Sequence, residues 1–232
     1  MAYNIADLFE HVVDAVPDRV ALVDRDTRLT FADLDERANR IAHHLGAQGI
    51  GVGDHVGIYA QNCHEWIETM LGCFKLRAIP INVNFRYVSD ELAYIFNNAD
   101  LVGLVFDDQY APLVTEIRDK APRLKAFVHV HTGIGDDGTD AVTGERVTSE
   151  FTMAEKAAAS GGGLVFMVIP PMMHGAAQWG TMGQMFQGNT IVLLPKFSGE
   201  AVWELVEKER VNAALITGDA MGRPMIEHLE AN

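Results

Sequence analysis

Short apolar segments of strand length alternate along the chain with longer segments whose apolar residues recur at helical spacing. The apolar segments that predict strands include HVGIYA (55–60), LVGLVF (101–106), LVFMVI (164–169), TIVLL (190–194) and NAALI (212–216). Parallel strands need long crossover connections, which are usually helices, so this alternation is typical of a mainly parallel, doubly wound sheet. The fold class predicted from the sequence is therefore α/β.

Polar residues at the start of the amphipathic segments predict where helices begin. Asn4 and Ser198 each precede a helical stripe and can accept a hydrogen bond from a backbone N–H of the first turn. Thr30 with Asp33 resembles a capping box in which Asp replaces the usual Glu. We also expect Ser89 to cap a short helix.

Changes in composition divide the chain into three segments. Residues 1–130 form a first α/β portion and residues 164–232 form a second one. Residues 131–163 between them are rich in Gly, Asp, Thr and Ser, with one predicted helix around 151–159. A long irregular segment inside an α/β domain indicates a functional loop, a domain boundary or missing sequence.

Charge and composition exclude several classes of protein. The chain has 18 Lys+Arg and 32 Asp+Glu, and its net charge of −14 disfavours broad binding to nucleic acid or anionic membranes. A nucleotide stays possible, because a phosphate needs only a local group of N–H donors. The two cysteines, Cys63 and Cys73, provide neither a disulfide framework nor a set of zinc ligands.

The sequence shows no signal peptide and no transmembrane segment. The N-terminus lacks a basic region followed by an apolar one. The longest apolar stretch, residues 164–173, has ten residues and is too short to cross a bilayer. We therefore expect a soluble, cytoplasmic protein.

A glycine motif follows the strand predicted near residue 130. Gly133, Gly135 and Gly138 fit the pattern G-x-G-x-x-G, which alone would suggest a nucleotide-dependent oxidoreductase. Asp136 and Asp137 lie within the motif, and their charges would repel a pyrophosphate. An acidic surface turn is the preferred interpretation, and the acidic residues lack the ligand spacing of an EF-hand calcium loop.

The histidines do not predict a metal site. His129 and His131 lie on one face of a predicted strand, but a third ligand is not evident nearby. His43 and His44 lie on a predicted helix, where a solvated face is the simplest interpretation. Neither a Walker loop nor a nucleophile elbow occurs in the sequence, so no catalytic residue is predicted.

Two strand-to-helix junctions in the C-terminal segment are candidates for a binding site. His174 and Gly175 end the segment PPMMHG, and Thr217, Gly218 and Asp219 follow the strand NAALI. Ligands of open α/β sheets bind at the carboxyl ends of the strands, so the two junctions could form the walls of one cleft. The alternative is that His174 and Asp219 only cap the helices that follow them.

Several motifs in order resemble those of the adenylate-forming acyl-CoA synthetases. They include Leu29-Thr30-Phe31, Gly51-Val52-Gly53-Asp54 and the run LGCFKLRAIPIN (71–82), which is similar to the family's G-x-x-K-A-G-A-x-x-V-P-x-N segment. Each motif is weak alone, but the order and spacing are jointly specific. PPMMHG and TGDAMGRP (217–224) resemble a subgroup, often called FadD-type, that acts on fatty-acid and steroid side-chain carboxylates.

The resemblance implies a fold, a reaction and a set of ligands. A carboxylate attacks the α-phosphate of ATP, and the thiolate of coenzyme A then displaces AMP, with Mg²⁺ and a cationic loop neutralising charge. The implied substrate is a small-molecule carboxylic acid, and the implied cofactors are ATP, Mg²⁺ and coenzyme A. By motif match, the substrate-binding residues are His174, Gly175, Thr217, Gly218 and Asp219.

The sequence also departs from the family's pattern. The signature loop that ends in Pro-Lys-Gly does not occur between the strand near Phe127 and PPMMHG. The Tyr-Gly-x-Thr-Glu segment, the ribose-binding Asp, the hinge and the C-terminal domain with its catalytic Lys do not follow either. We therefore expect a partial N-terminal domain of the synthetase fold, with the phosphate-binding loop deleted and few of the groups that would hold ATP.

Two classes of function remain open at this point. The first is an acyl-CoA synthetase by ancestry, with this chain expected to be inactive alone because the groups that stabilise triphosphate charge are missing. The second is a non-catalytic acyl-binding or interaction module derived from such an enzyme. In either case a truncated sheet exposes apolar edges, so we expect self-association.

Overall fold

The structure is a computed structural model that describes residues 4–130, 152–159, 161 and 163–231. Its helices are α1 (Ile5–Ala15), α2 (Phe31–Ala47), α3 (His64–Lys75), α4 (Ser89–Asn98), α5 (Ala111–Ile117), α6 (Thr152–Ala159), α7 (Gly175–Met185), α8 (Gly199–Glu209) and α9 (Asp219–Ala231). Its strands are β1 (Val20–Asp24), β2 (Thr27–Thr30), β3 (His55–Tyr59), β4 (Ile79–Asn82), β5 (Leu101–Asp107), β6 (Ala126–Val130), β7 (Val165–Val168), β8 (Thr190–Leu193) and β9 (Ala213–Leu215). The predicted α/β class is confirmed.

The chain forms two compact units, which are not consecutive in sequence. The first unit comprises Met1–Leu34 and Ile134–Asn232, and the second comprises Asp35–Gly133. Because β1 pairs with β8, the N-terminal residues belong with the C-terminal part of the chain. The boundary between Leu34 and Asp35 has no counterpart in the division that composition suggests at residues 130 and 164.

The sheet of the first unit has five described strands in the order β2-β1-β8-β7-β9. Strands β1, β8, β7 and β9 are parallel, and β2 pairs antiparallel with β1. Helices α8 and α9 contribute to one apolar core of this sheet, which includes Met167, Val192 and Val202. The core fixes the positions from which the strand ends lead into the helices.

The sheet of the second unit has four described strands in the order β4-β3-β5-β6, all parallel. Residues from its strands and from α2 and α3 form a separate core that includes Leu45, Val56, Cys73 and Val105. Within the described ranges, no helix has the length and apolar character that a membrane crossing requires.

The hairpin formed by β1 and β2 has no counterpart among the strands predicted from the sequence. Asp24 pairs with Thr27 across a tight turn, and Arg25 in that turn has φ 55°. This left-handed conformation usually signals Gly, Asn or Asp, so Arg25 gives little sequence indication of a turn.

Three of the four predicted helix starts are confirmed. The side chains of Asn4 and Ser198 accept hydrogen bonds from backbone N–H groups of α1 and α8, at 2.7 and 3.1 Å. The Thr30 and Asp33 side chains each accept a hydrogen bond from the other residue's backbone N–H, at 3.1 and 2.9 Å respectively. The prediction for Ser89 is wrong, because Val88 occupies the N-cap of α4 and donates its N–H to a Glu91 side-chain oxygen at 3.0 Å.

Candidate functional site

The two predicted binding junctions follow neighbouring strands of the first unit. Strands β7 and β9 are parallel, and Val168 pairs with Leu215 at their carboxyl ends. Residues 169–174 and 216–218 therefore leave the sheet at the same edge and lead into α7 and α9. We call these two segments the acid edge. The structure thus places both junctions where ligands of open α/β sheets bind.

His174 lies at the N-terminus of α7 on a fixed backbone. Its N–H donates to the Pro171 carbonyl at 3.0 Å, and its own carbonyl accepts from the Ala177 N–H at 3.1 Å. The residue has an extended conformation, and its side chain makes no capping hydrogen bond. Because the imidazole is also exposed, the helix-capping interpretation of His174 is not what the structure shows.

The segment that precedes His174 is held by the helix that follows it. The Gln178 side-chain amide donates to the Met172 carbonyl at 2.7 Å, and the buried Thr181 hydroxyl lies 3.5 Å from the Met172 sulfur. Met172 itself is buried. These contacts preorganise the backbone that positions the His174 imidazole.

Gly175 leaves open space at the first turn of α7. Among the described residues, and apart from its chain neighbours and the backbone of its own helix, no heavy atom would lie within 4 Å of a Cβ atom built there, and the backbone does not have a positive φ that would require glycine. Trp179 lies one turn further on and is 65% exposed. Residues four apart share a helical face, so α7 presents an open position and an exposed indole together.

Thr217 and Gly218 shape the start of α9. The Thr217 N–H and hydroxyl both lie 3.5 Å from the Met221 sulfur. Gly218 has φ 62°, a left-handed conformation that favours glycine, and its carbonyl accepts from the Gly222 N–H at 3.1 Å. These contacts fix the backbone of the junction where α9 begins.

Asp219 is the first residue of α9 and forms an ion pair with Arg223. The carboxylate and guanidinium atoms are 2.6 Å apart, and both side chains are mostly exposed. An exposed pair of this kind contributes little to stability. Its effect at the acid edge is to offset the negative charge of Asp219.

Sequence reasoning missed Asp24, at the carboxyl end of β1 in the same sheet. Asp24 is buried and forms an ion pair with Arg25 at 2.9 Å. The available signal is an acidic residue that directly ends the apolar strand VALVD. A buried carboxylate needs such a partner to offset the cost of leaving water.

The described charged groups at this side of the sheet include two paired arginines and the exposed Lys196, which follows β8. Arg25 and Arg223 are each paired with a carboxylate, so their charges are offset by Asp24 and Asp219. A triphosphate needs an excess of cations and hydrogen-bond donors. No step that involves ATP is therefore assigned to these residues.

Other residues singled out in the sequence have simpler environments. The His129 ring stacks on the Phe106 ring, with centroids 5.6 Å apart. His131 and the glycine motif at 133–138 lie outside the described residues, so those interpretations stay predictions. Burial raises the pKa of the Cys73 thiol to about 12, so this residue is not a nucleophile at neutral pH.

Glu68 forms a charged cluster inside the second unit. Its carboxylate accepts from the Arg37 guanidinium at 2.6 Å and lies 2.8 Å from the His64 imidazole. Burial alone would raise the pKa of Glu68, but the contacts with His64 and Arg37 lower it below its ordinary value. His44 is exposed, in agreement with the solvated face expected for it.

The family assignment follows from comparison with known proteins. The family described as "AMP-binding enzyme" matches residues 9–158. This match covers more than half of the chain, and the chain belongs to that family. The resemblance to adenylate-forming acyl-CoA synthetases is therefore confirmed.

Two curated relatives match almost the entire chain. The 3-oxocholest-4-en-26-oate--CoA ligase of Rhodococcus rhodochrous is 38% identical over 288 residues, which cover 99% of this chain and 52% of the relative. The Medium/long-chain-fatty-acid--CoA/3-oxocholest-4-en-26-oate--CoA ligase of Mycobacterium marinum is 38% identical over 291 residues, which cover 99% of this chain and 53% of the relative. The chain spans about half the length of these relatives.

The alignment lengths also bear on the interior of the chain. Both alignments are longer than the 232 residues of the chain, so the relatives have residues within the aligned region that this chain lacks.

A solved structure confirms the type of fold. The inhibitor-bound N-terminal domain of FACL13 from Mycobacterium tuberculosis superposes with a TM-score of 0.75 and 23% sequence identity. The superposition covers 92% of this chain and 62% of that domain. The described residues therefore share the fold of that N-terminal domain.

Proposed function

We propose that this chain forms the acid-binding part of an ATP-dependent acyl-CoA ligase that acts on fatty acids or steroid side-chain acids. The observation that carries the proposal is the acid edge, where the His174 junction and the Gly218–Asp219 junction follow neighbouring strands of an AMP-binding chain. The names of the relatives, which include 3-oxocholest-4-en-26-oate and medium/long-chain fatty acids, support this substrate class.

The chemistry of the acid edge suits an organic acid. The exposed imidazole of His174 can donate a hydrogen bond to a carboxylate, and it does so most strongly when it is protonated. Gly175 leaves space beside it, and Trp179 and Ile216 expose apolar surface for an acyl body. Thr217, Gly218 and Asp219 form the second wall of the site.

The complete ligase reaction uses ATP, Mg²⁺ and coenzyme A, and we propose that this chain alone does not carry it out. The sequence contains no Pro-Lys-Gly, and Arg25 and Arg223 are each paired with a carboxylate. The interior residues that the relatives have and this chain lacks are consistent with a deletion of the phosphate-binding loop.

A non-catalytic acyl-binding or interaction module is the second candidate function. It is favoured by the same observation, since an organic acid can bind at the acid edge without any contribution from a triphosphate site. We place either form in a reducing compartment such as the cytoplasm, because the sequence has two cysteines and no disulfide framework.

Calorimetric titration of the full chain with dodecanoate and with a steroid side-chain carboxylate tests the proposed site. We expect saturable binding that His174→Ala weakens about tenfold, because a hydrogen bond to a charged group is lost. His43→Ala, which removes an exposed imidazole of the second unit, is the matched control and should leave binding unchanged. Absence of binding, or equal binding by the His174 variant, would contradict the proposal.

A further inference from the structure

A surface cavity of about 380 Å³ lies beside α4 in the second unit. Tyr87 lines it from the segment before the helix, and Asp90, Glu91, Tyr94 and Ile95 line it from the helix itself. Their spacing of three, four, seven and eight residues from Tyr87 is that of one helical face. The volume falls within the range of small-molecule sites.

The side chains around this cavity share a chemical preference. Two are tyrosines, whose ring faces attract cations, and two are carboxylates, whose charge does the same at longer range. None of the five lining residues is cationic. Tyr94 is 67% exposed, so its ring does not serve to fill the core of the second unit.

One carboxylate of the cavity already contacts an ammonium group of the chain. The Lys120 Nζ atom lies 3.1 Å from an Asp90 side-chain oxygen. Asp90 is 93% and Lys120 51% exposed, so this pair is weak and a competing cation can displace it. Glu91 is held in place because one of its oxygens accepts the Val88 N–H at 3.0 Å.

We propose that this cavity binds a small organic ammonium ion. Tyr87, Tyr94 and Ile95 contact the apolar body of the ligand, and Asp90 and Glu91 offset its charge. The site is separate from the proposed acid-binding function, because its lining residues all belong to the second unit and none belongs to the acid edge.

Choline and its neutral analogue 3,3-dimethylbutan-1-ol provide a direct test, because they have similar shapes and differ in charge. The full chain, labelled with ¹³C in the tyrosine rings, is titrated with each compound at constant ionic strength. We expect saturable shifts of the Tyr87 and Tyr94 signals with choline and not with the alcohol. Equal shifts with both compounds, or no saturable shift, would overturn the proposal.

Three substitutions distinguish a built site from general attraction to an acidic chain. Tyr94→Leu should weaken choline binding, observed at Tyr87, about two- to fivefold, because one ring contact is lost. Lys120→Ala should strengthen binding because it removes the competing ammonium group, and a misfolded variant would not produce this gain. Lys208→Ala is the control, since it removes an ammonium group of the first unit that lies 3.6 Å from the exposed Asp26 and 3.9 Å from Glu209.

Comparison with the control variant also shows which result would contradict the proposed ammonium site. If Lys120→Ala and Lys208→Ala change the affinity equally, or if Tyr94→Leu has no effect, choline binds through the net charge of −14 and not in this cavity.

Discussion

Gly175 is the residue whose size matters most for the proposed acid site. Outside its own helix backbone and chain neighbours, a methyl group at this position would meet no atom of the described residues within 4 Å, and alanine favours a helix more than glycine does. We therefore expect Gly175→Ala to keep or raise the free energy of unfolding, by up to about 1 kcal/mol, and to weaken acid binding by occupying the open space. Urea denaturation and calorimetric titration of the same variant measure the two effects.

Two results for Gly175→Ala would contradict this prediction. If Gly175→Ala is destabilised, the open space seen in the structure is wrong, and if it binds the acid as tightly as the original chain, the ligand does not occupy that space.

Cys73 makes folding stability depend on alkaline pH. Burial raises the pKa of its thiol from 9.0 to about 12, so the folded state binds the proton more tightly than the unfolded state. Its contribution is complete below about pH 9 and is lost as the pH rises towards 12. We expect Cys73 to account for a loss of about 1–2 kcal/mol between about pH 8 and about pH 10.5.

The measurement for Cys73 compares how the free energy of unfolding changes with pH in two proteins. Urea denaturation at both pH values is carried out on the original chain and on Cys73→Ala, which has no thiol to titrate. Burial also raises the pKa of Tyr59, to about 12, but this group is present in both proteins and its effect cancels. Identical pH dependence in the two proteins would show that the Cys73 thiol does not titrate as described.

Helices α2 and α3 approach closely at Gly72, so the stability of the chain depends on the small size of this residue. A Cβ atom at Gly72 would lie 2.9 Å from the Ile41 Cγ2 atom and 3.1 Å from the Ala38 carbonyl oxygen. We expect Gly72→Ala to lower the free energy of unfolding by about 1–3 kcal/mol, because the two helices must separate. Chemical denaturation of the purified variant measures this loss.

Gly46 in α2 supplies the matched control for Gly72. A Cβ atom there would have the Leu76 side chain at 3.5 Å, which is ordinary van der Waals contact. Gly46→Ala should therefore be neutral or stabilising, by up to about 1 kcal/mol. The close approach at Gly72 would be refuted if both variants were equally stable.

The elements show which parts of the fold local sequence can predict. The apolar strand segments and the caps at Asn4 and Ser198 were predictable because their signals lie within a few residues. The hairpin of β1 and β2 was missed because its turn contains Arg25 in place of the usual turn residues. The separation into two sheets depends on the pairing of β1 with β8, which no local pattern reports.

The acid edge shows the same limit for function. The positions of His174 and Asp219 were predictable because each residue lies in a family motif that comes after a recognisable strand. Asp24 was not, because only the folded sheet brings the end of β1 to the same side. The open space at Gly175 and the missing cap bond of His174 are properties of packing, which the sequence does not encode locally.

The exposed strand edges bear on how whole molecules associate. Strand β9 ends the described sheet of the first unit, its Ala213 and Ala214 are exposed, and it carries no charge. The opposite edge strand, β2, carries Arg28, and an edge charge of this kind discourages pairing. We expect self-association through β9, which increases with salt because a net charge of −14 repels identical chains.

Light scattering over a range of salt concentrations measures this association. The Asn212 N–H donates to the Val165 carbonyl of β7, so the alternating N–H of Ala213 points away from β7. Ala213→Pro therefore removes an outward donor without breaking the bond to β7, and it should keep the chain monomeric. Monomeric behaviour of the original chain at every salt concentration would argue against an edge-to-edge contact.

The central claim about the whole chain is that it binds an organic acid but does not adenylate it. It is tested by ATP–pyrophosphate exchange with the purified chain, Mg²⁺ and dodecanoate. We predict exchange no greater than the background without protein, in a sample that still binds the acid. Acid-dependent exchange above that background would contradict the proposal, because it would require the triphosphate site that we propose this chain lacks.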